Sequence, residues 1–184
     1  MGVPNAAVIA SGDPATRAAV RSATLERFTR LITGADSATS TLAAWSGEPP
    51  TTHIHTREET ATLPKEALLL GLPPTTTVQR RHSTHRRRDG TLLGQARATV
   101  WLDSPALPGP VVARLRTGPQ PLGELLGPLG MRRRTLHTTR RYDYRRPLHY
   151  DDQDRAVLGV AAALEVAQER VALVEETYLE PVLW

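Results

Sequence analysis

Three residues and one group in this sequence have the type and setting to do chemistry: Arg80, Glu175 and Glu176, and the histidines at 53, 55, 82 and 85. Arg80 sits in "TVQRRHST". If Val78 to Thr84 is a strand, then Val78, Arg80, His82 and Thr84 share one face. Val78 seeks a core, which draws Arg80 inward, and a buried guanidinium needs an anion beside it. That anion is either a carboxylate of the chain or a carboxylate on a ligand. Arg81 and the run Arg86 to Arg88 are expected to face solvent around a turn. Glu175 and Glu176, in "ALVEETYL", point to opposite faces of a strand, so only one of them is inside. Apolar residues stand on both faces there, and parity alone does not choose. A buried glutamate has a raised pKa and can donate or accept a proton.

The histidines do not assemble a metal site. His53 and His55 share a face, His82 and His85 do not, and no third ligand is suitably spaced. With no cysteine in the chain, disulfides, thiolate metal ligation and a cysteine nucleophile are excluded. Nucleophile elbows, phosphate-cradling glycine loops and dinucleotide fingerprints are missing as well.

The elements that must position these residues are read from turn and cap signals. Asp13-Pro14 is an N-cap followed by a first helical residue, and "ATRAAVRSATLERFTRLI" runs at helical spacing to Gly34. A shorter helix follows in "DSATSTLAAWSG", capped by Asp36 or Ser37. "TTHIHTRE" reads as a strand, and "PKEALLLGLPP" as a helical turn or loop. Val78 to Arg86 and Leu92 to Trp101 form a hairpin across Asp89-Gly90. "VVARLRTG" is a short helix, "MRRRTLHTTRRYDY" a strand and "HYDDQDRA" a loop. The closing segment, "VLGVAAALEVAQERVALVEETYLEPVLW", is a hairpin turning at "AQER", or a helix in its first half followed by a strand. Helices first and an antiparallel sheet after give one α+β domain.

The 184 residues allow one domain with a sizeable core. The net charge is +4, and Lys65 is the only lysine, so the basic charge is arginine. Arginine suits planar contact with carboxylate or phosphate, although codon drift in a GC-rich genome gives the same bias. Nucleic-acid binding is weakened by the lack of a helix-turn-helix pattern and of aromatics among the arginines. The start of the chain lacks the basic and apolar regions of a signal peptide, and no apolar stretch approaches a membrane span. A cytoplasmic protein, monomer or homodimer, is expected.

In order, "TTTVQRR", "GTLLGQARATVWL", "PVVARLRTGPQPLGELL" and "VALVEETYLEP" resemble the chorismate lyase family, in its actinobacterial and cyanobacterial branch. The likeness spans roughly residues 31–181, leaving 1–30 as an N-terminal helical segment and 31–184 as a chorismate lyase-like domain. Its most specific pieces are Gln79-Arg80, Pro121-Leu122-Gly123, and Glu176 with Tyr178 and Leu179. The resemblance implies an antiparallel sheet with helices packed on it around a cavity closed by flaps. It implies a cofactor-independent carbon–oxygen lyase converting chorismate to 4-hydroxybenzoate and pyruvate, with no metal. Arg80 would hold a carboxylate, helped by the Leu122 N–H and by the close approach that Gly123 permits. Glu176, rather than Glu175, would face the ring beside Ala172, Val174 and Tyr178 and assist proton transfer.

The departures at Glu175, at Glu180 and in "GVAAALEV" leave the substrate open. A lyase, dehydratase or cyclase of the same fold in a specialised, antibiotic-type pathway is the alternative, and a non-enzymatic binder of a small acid or of nucleic acid is the third reading. The same fold also serves as the effector domain of winged-helix regulators. Those chains carry a DNA-binding domain in front, and only about thirty residues precede the resemblance here, which turns the expectation towards the enzyme.

Overall fold

The computed structural model describes residues 13–140 and 156–184. The expectations that fall on 1–12 and 141–155, including the loop in "HYDDQDRA" and the arginine-rich run beyond Arg140, lie outside the described residues.

Local signals account for most of the elements. Helix α1 (Pro14–Thr33) begins where the Asp13 carboxylate accepts the Ala15 and Thr16 N–H groups at 2.8 and 3.0 Å. Helix α2 (Ala38–Ser46) is capped by Ser37, not Asp36, and stops at Gly47, whose φ of 79° is accessible to glycine at no steric cost. Strand β1 (Thr51–Ala61) leads to helix α3 (Pro64–Leu70), where Glu66 reaches back to the Leu63 N–H at 2.8 Å. Strands β2 (Thr77–Arg86) and β3 (Leu92–Val100) form the expected hairpin. Helices α4 (Gly109–Thr117) and α5 (Leu122–Leu126) precede strand β4 (Arg132–Arg140). The last segment is a hairpin throughout, β5 (Ala156–Val166) and β6 (Glu169–Leu179), turned by Ala167 and Gln168 at φ 48° and 70°. Both turn residues have positive φ, which matches the twist of tight hairpins.

The six strands form one antiparallel sheet in the order β1-β2-β3-β6-β5-β4. This is the α+β fold, a single domain, that the sequence predicts. One face of the sheet is covered by helices, the other only in part. On one face, α4 and α5 bury Ala98, Val100, Val174 and Leu164 together with Leu115, Leu125 and Leu126. Next to them α1, α2 and the chain's last residues bury Tyr178, Leu158 and Val160 against Phe28, Ile32, Trp45 and Leu183. On the other face a smaller cluster of Val78, Ala163 and Leu173 lies under Leu70 of α3. Among the described residues no helix is long and apolar enough to cross a membrane.

Candidate functional site

A cavity of about 60 Å³ opens between the larger covered face and the N-terminal ends of α2 and α5. Strand register decides what enters it. Arg81, Ala98 and Val174 stand side by side on β2, β3 and β6, and Ser83, Ala96 and Glu176 form the next row. Arg81 and Glu176 therefore face the same space, roughly 12 Å apart at their α-carbons, two strands across and two residues along. Between them the floor is apolar. Leu122, Gly123, Met131 and Ile54 complete the wall.

Arg81 is 6% exposed. Its Nη2 donates to the Gln120 carbonyl at 3.0 Å, while Nη1 is buried without an acceptor. No salt bridge to a carboxylate of the described residues neutralises it. Burial, and secondarily the Arg57 guanidinium opposite it on β1, pulls the Arg81 pKa down to about 10. Arg57 adds to the demand for negative charge: its Nε is also buried and unpaired, and its Nη2 donates to the Gly118 carbonyl. Two neighbouring guanidiniums thus each bury a donor without an acceptor, which costs stability while it stays unmet.

At the other end, Glu176 is buried and Glu175 is exposed, the parity that the resemblance implies. Glu176 Oε2 accepts from Arg133 Nη2 at 2.6 Å and from the Tyr178 hydroxyl at 2.9 Å. Burial, and then the Glu176 charge, raises the Tyr178 phenol well above its ordinary value, so it stays a donor. His85 reaches the same cavity from β2 and bonds to Thr52 Oγ1 through Nδ1 at 3.0 Å. Burial lowers its pKa to about 4, leaving a neutral ring at physiological pH. His82 and His85 stand on opposite faces, as predicted, but it is His85 that enters the cavity; His82, expected inward with Arg80, lies near His55 with ring centroids 5.3 Å apart. Among the described residues no cluster of His, Asp or Glu is arranged to hold a metal ion.

The structure reverses the expectation for the two arginines. Arg80 lies on the opposite face of the sheet from Glu176, half-buried, with Nη2 on Glu66 at 2.8 Å and on the Ala61 carbonyl at 3.2 Å. Thr99 donates to the same carboxylate at 2.9 Å. Although burial opposes it, the bonds from Arg80, the Leu63 N–H and Thr99 hold Glu66 below the usual carboxylate range. Val78 does draw Arg80 inward, but into the small core beneath α3, where a carboxylate of the chain already meets it. Arg87, expected in solvent, instead donates to the Pro181 and Trp184 carbonyls.

Leu122, Gly123 and Glu176 do come together, with Arg81 in the place predicted for Arg80. Leu122 opens α5, so its N–H has no intrahelical partner. A Cβ on Gly123 would meet Ser37 Oγ at 2.9 Å, so glycine lets α5 approach the α2 cap. Tyr178 reaches the site through Glu176. Arg133 was not anticipated from the sequence, yet "MRRRT" carried the signal: Met131, Arg133 and Thr135 share a face, and an apolar Met131 takes Arg133 inside with it.

No family model matches the chain, and no curated protein matches it significantly. Solved structures do. The chain is similar to PhnF from Mycobacterium smegmatis at a TM-score of 0.58 and 16% identity, over 82% of this chain and 67% of that one. The effector domain of the same PhnF gives a TM-score of 0.56 at 16% identity, covering 79% and 90%. A GntR-family transcriptional regulator from Bacillus cereus gives 0.50 at 14%, covering 72% and 92%.

At these identities the likeness defines the fold: a chorismate lyase-like sheet of the kind found in regulator effector domains. It overturns the lyase expectation. The solved neighbours are regulator domains rather than enzymes, so the carbon–oxygen lyase, the conversion of chorismate to 4-hydroxybenzoate and pyruvate, and the antibiotic-pathway setting all fall. The geometry agrees, because Arg80 and Glu176, the expected catalytic pair, lie on opposite faces of the sheet. The binder reading fits better, and the argument from the short N-terminal segment against a regulator domain falls with the enzyme.

Proposed function

We propose that this domain is a sensor for a small anionic molecule, with the cavity between Arg81 and Glu176 as its binding site. One observation carries the reading: a buried guanidinium on the wall of the cavity, with an unpaired N–H and, among the described residues, no carboxylate partner. A free buried charge costs several kcal/mol, on the order of what an arriving anion can return. Arg81 would take the ligand's carboxylate or phosphate with help from the Leu122 N–H across the approach that Gly123 allows. Glu176 has one oxygen uncommitted to Arg133 or Tyr178 and would accept a hydroxyl or amine at the far end of the ligand. At about 60 Å³ the cavity is small and admits a small acid or the head of a larger one. The names of the solved neighbours describe transcriptional regulators, and a regulatory readout of occupancy is part of the proposal.

Thermal melts test it. Inorganic phosphate and 4-hydroxybenzoate, each compared with chloride at equal ionic strength, should raise Tm by mass action in the native protein and not in Arg81→Met. Equal stabilisation of both proteins, or none by a wider panel of small acids, would overturn the reading.

A further inference from the structure

We infer that Arg133 is a positioning residue that ties the state of the cavity to the docking of helix α1. The final carbonyls of a helix have no partners within it. In α1 two of them are taken up by β4: Arg133 Nη1 donates to the Ile32 carbonyl at 2.8 Å, and Thr135 Oγ1 donates to the Thr33 carbonyl at 2.8 Å. The same guanidinium places Nη2 on Glu176 at 2.6 Å, inside the cavity. Its side chain is 1% exposed, and Nε is buried with no acceptor. One rigid, planar group thus holds a helix end with one nitrogen and the cavity carboxylate with another.

A second connection runs between the same two places. Tyr178 donates to Glu176 and packs its ring edge-on against Phe28 of α1, with centroids 5.1 Å apart and planes at 79°. Glu176 does not itself contact α1 through any bond described above, yet both groups that hydrogen-bond to it do.

The unpaired Nε gives the coupling a direction. Nε and Nη2 form the edge of a guanidinium that accepts an oxyanion in two parallel bonds, and Glu176 uses only half of it. A ligand held at Arg81 whose far end also carries an oxyanion can take that edge and draw the guanidinium off Glu176. Because the group is planar, Nη1 turns with it and leaves the Ile32 carbonyl. Occupancy of the cavity then loosens the C-terminal turn of α1. The trigger rests on the proposed ligand site; the mechanical link between Glu176 and α1 does not.

Hydrogen exchange read by mass spectrometry on the whole chain tests the link without any ligand. In Glu176→Gln, the amides of Thr29 to Gly34 should exchange several-fold faster, with β5 and β6 amides unchanged. Glu176→Asp, which keeps the charge but withdraws it by one methylene, should do the same to a smaller degree and serves if the first variant does not fold. Arg133→Lys replaces the rigid fork by a shorter point ammonium that does not match the geometry of both ends, so it should loosen the same turn. Adding Glu176→Gln to Arg133→Lys should then change nothing further. Thr135→Val should loosen the turn but leave the response to Glu176→Gln intact. An α1 indifferent to both Glu176 variants, or effects of Glu176→Gln and Arg133→Lys that simply add, would overturn the coupling, and would do so whether or not any anion binds.

Discussion

Arg80 and Arg81 are neighbours of one type with opposite energetic roles. Arg80 has a carboxylate, Glu66, and its pairing is complete. Arg81 has a carbonyl and an empty donor. Replacing Arg81 by methionine should therefore leave the unliganded protein as stable as before or more stable, by up to about 2 kcal/mol, because an uncompensated buried charge is removed. Arg80→Met strands Glu66 and should cost about 1 kcal/mol, discounted for its partial exposure. Urea midpoints of the two variants check the contrast.

His85 adds a pH dependence. Its folded pKa, about 4, lies below the unfolded value of 6.5. Between those values the unfolded chain binds the proton and the folded one does not, so stability is full above pH 6.5 and is lost as pH falls towards 4. The shift corresponds to roughly 3 kcal/mol. His85→Gln should flatten that part of the curve of urea midpoint against pH.

At the scale of elements, two glycines mark where one element comes close to another. A Cβ on Gly94 would sit 2.6 Å from the Thr177 carbonyl and 3.4 Å from the Tyr178 ring. Gly94→Ala should force β3 off β6 and cost about 2 kcal/mol or more, read from the midpoint of unfolding. Gly123 is different, because its obstacle is the Ser37 hydroxyl, which caps α2. Ser37→Ala removes the cap at about 1 kcal/mol, but it also clears the space. Gly123→Ala should therefore cost less in the Ser37→Ala background than alone, a non-additivity that a double-mutant cycle measures.

For the whole molecule, Phe28 is the point at which α1 joins the body of the domain. Its ring meets Trp45 at 5.3 Å and Tyr178 at 5.1 Å, and it is fully buried. Phe28→Ala should cost about 3–5 kcal/mol. Because α1 packs into the same core as the sheet, far-ultraviolet and near-ultraviolet circular dichroism should report one coincident, lower transition. Separate transitions would mean that α1 unfolds by itself.

Much of this was legible in the sequence, because local chemistry fixed it. Parity left Glu175 and Glu176 open, and the resemblance chose between them, but Asp13-Pro14 starts α1 and Asp89-Gly90 turns the β2–β3 hairpin. These depend on neighbours a few residues away. What only the tertiary structure decided is which face of β2 meets the cavity. The parity argument assumed one buried face, and here the start of β2 is buried on both, so that Val78 and Gln79, adjacent in sequence, are both inside. Each face then has its own arginine, and among the described residues a carboxylate meets one of them alone. That difference comes from where α3 lands relative to β2 and from the pairing of β3 with β6, contacts between residues far apart in the chain. No spacing within "QRR" encodes them, which is why the arginine left without an acid became visible only in the folded molecule.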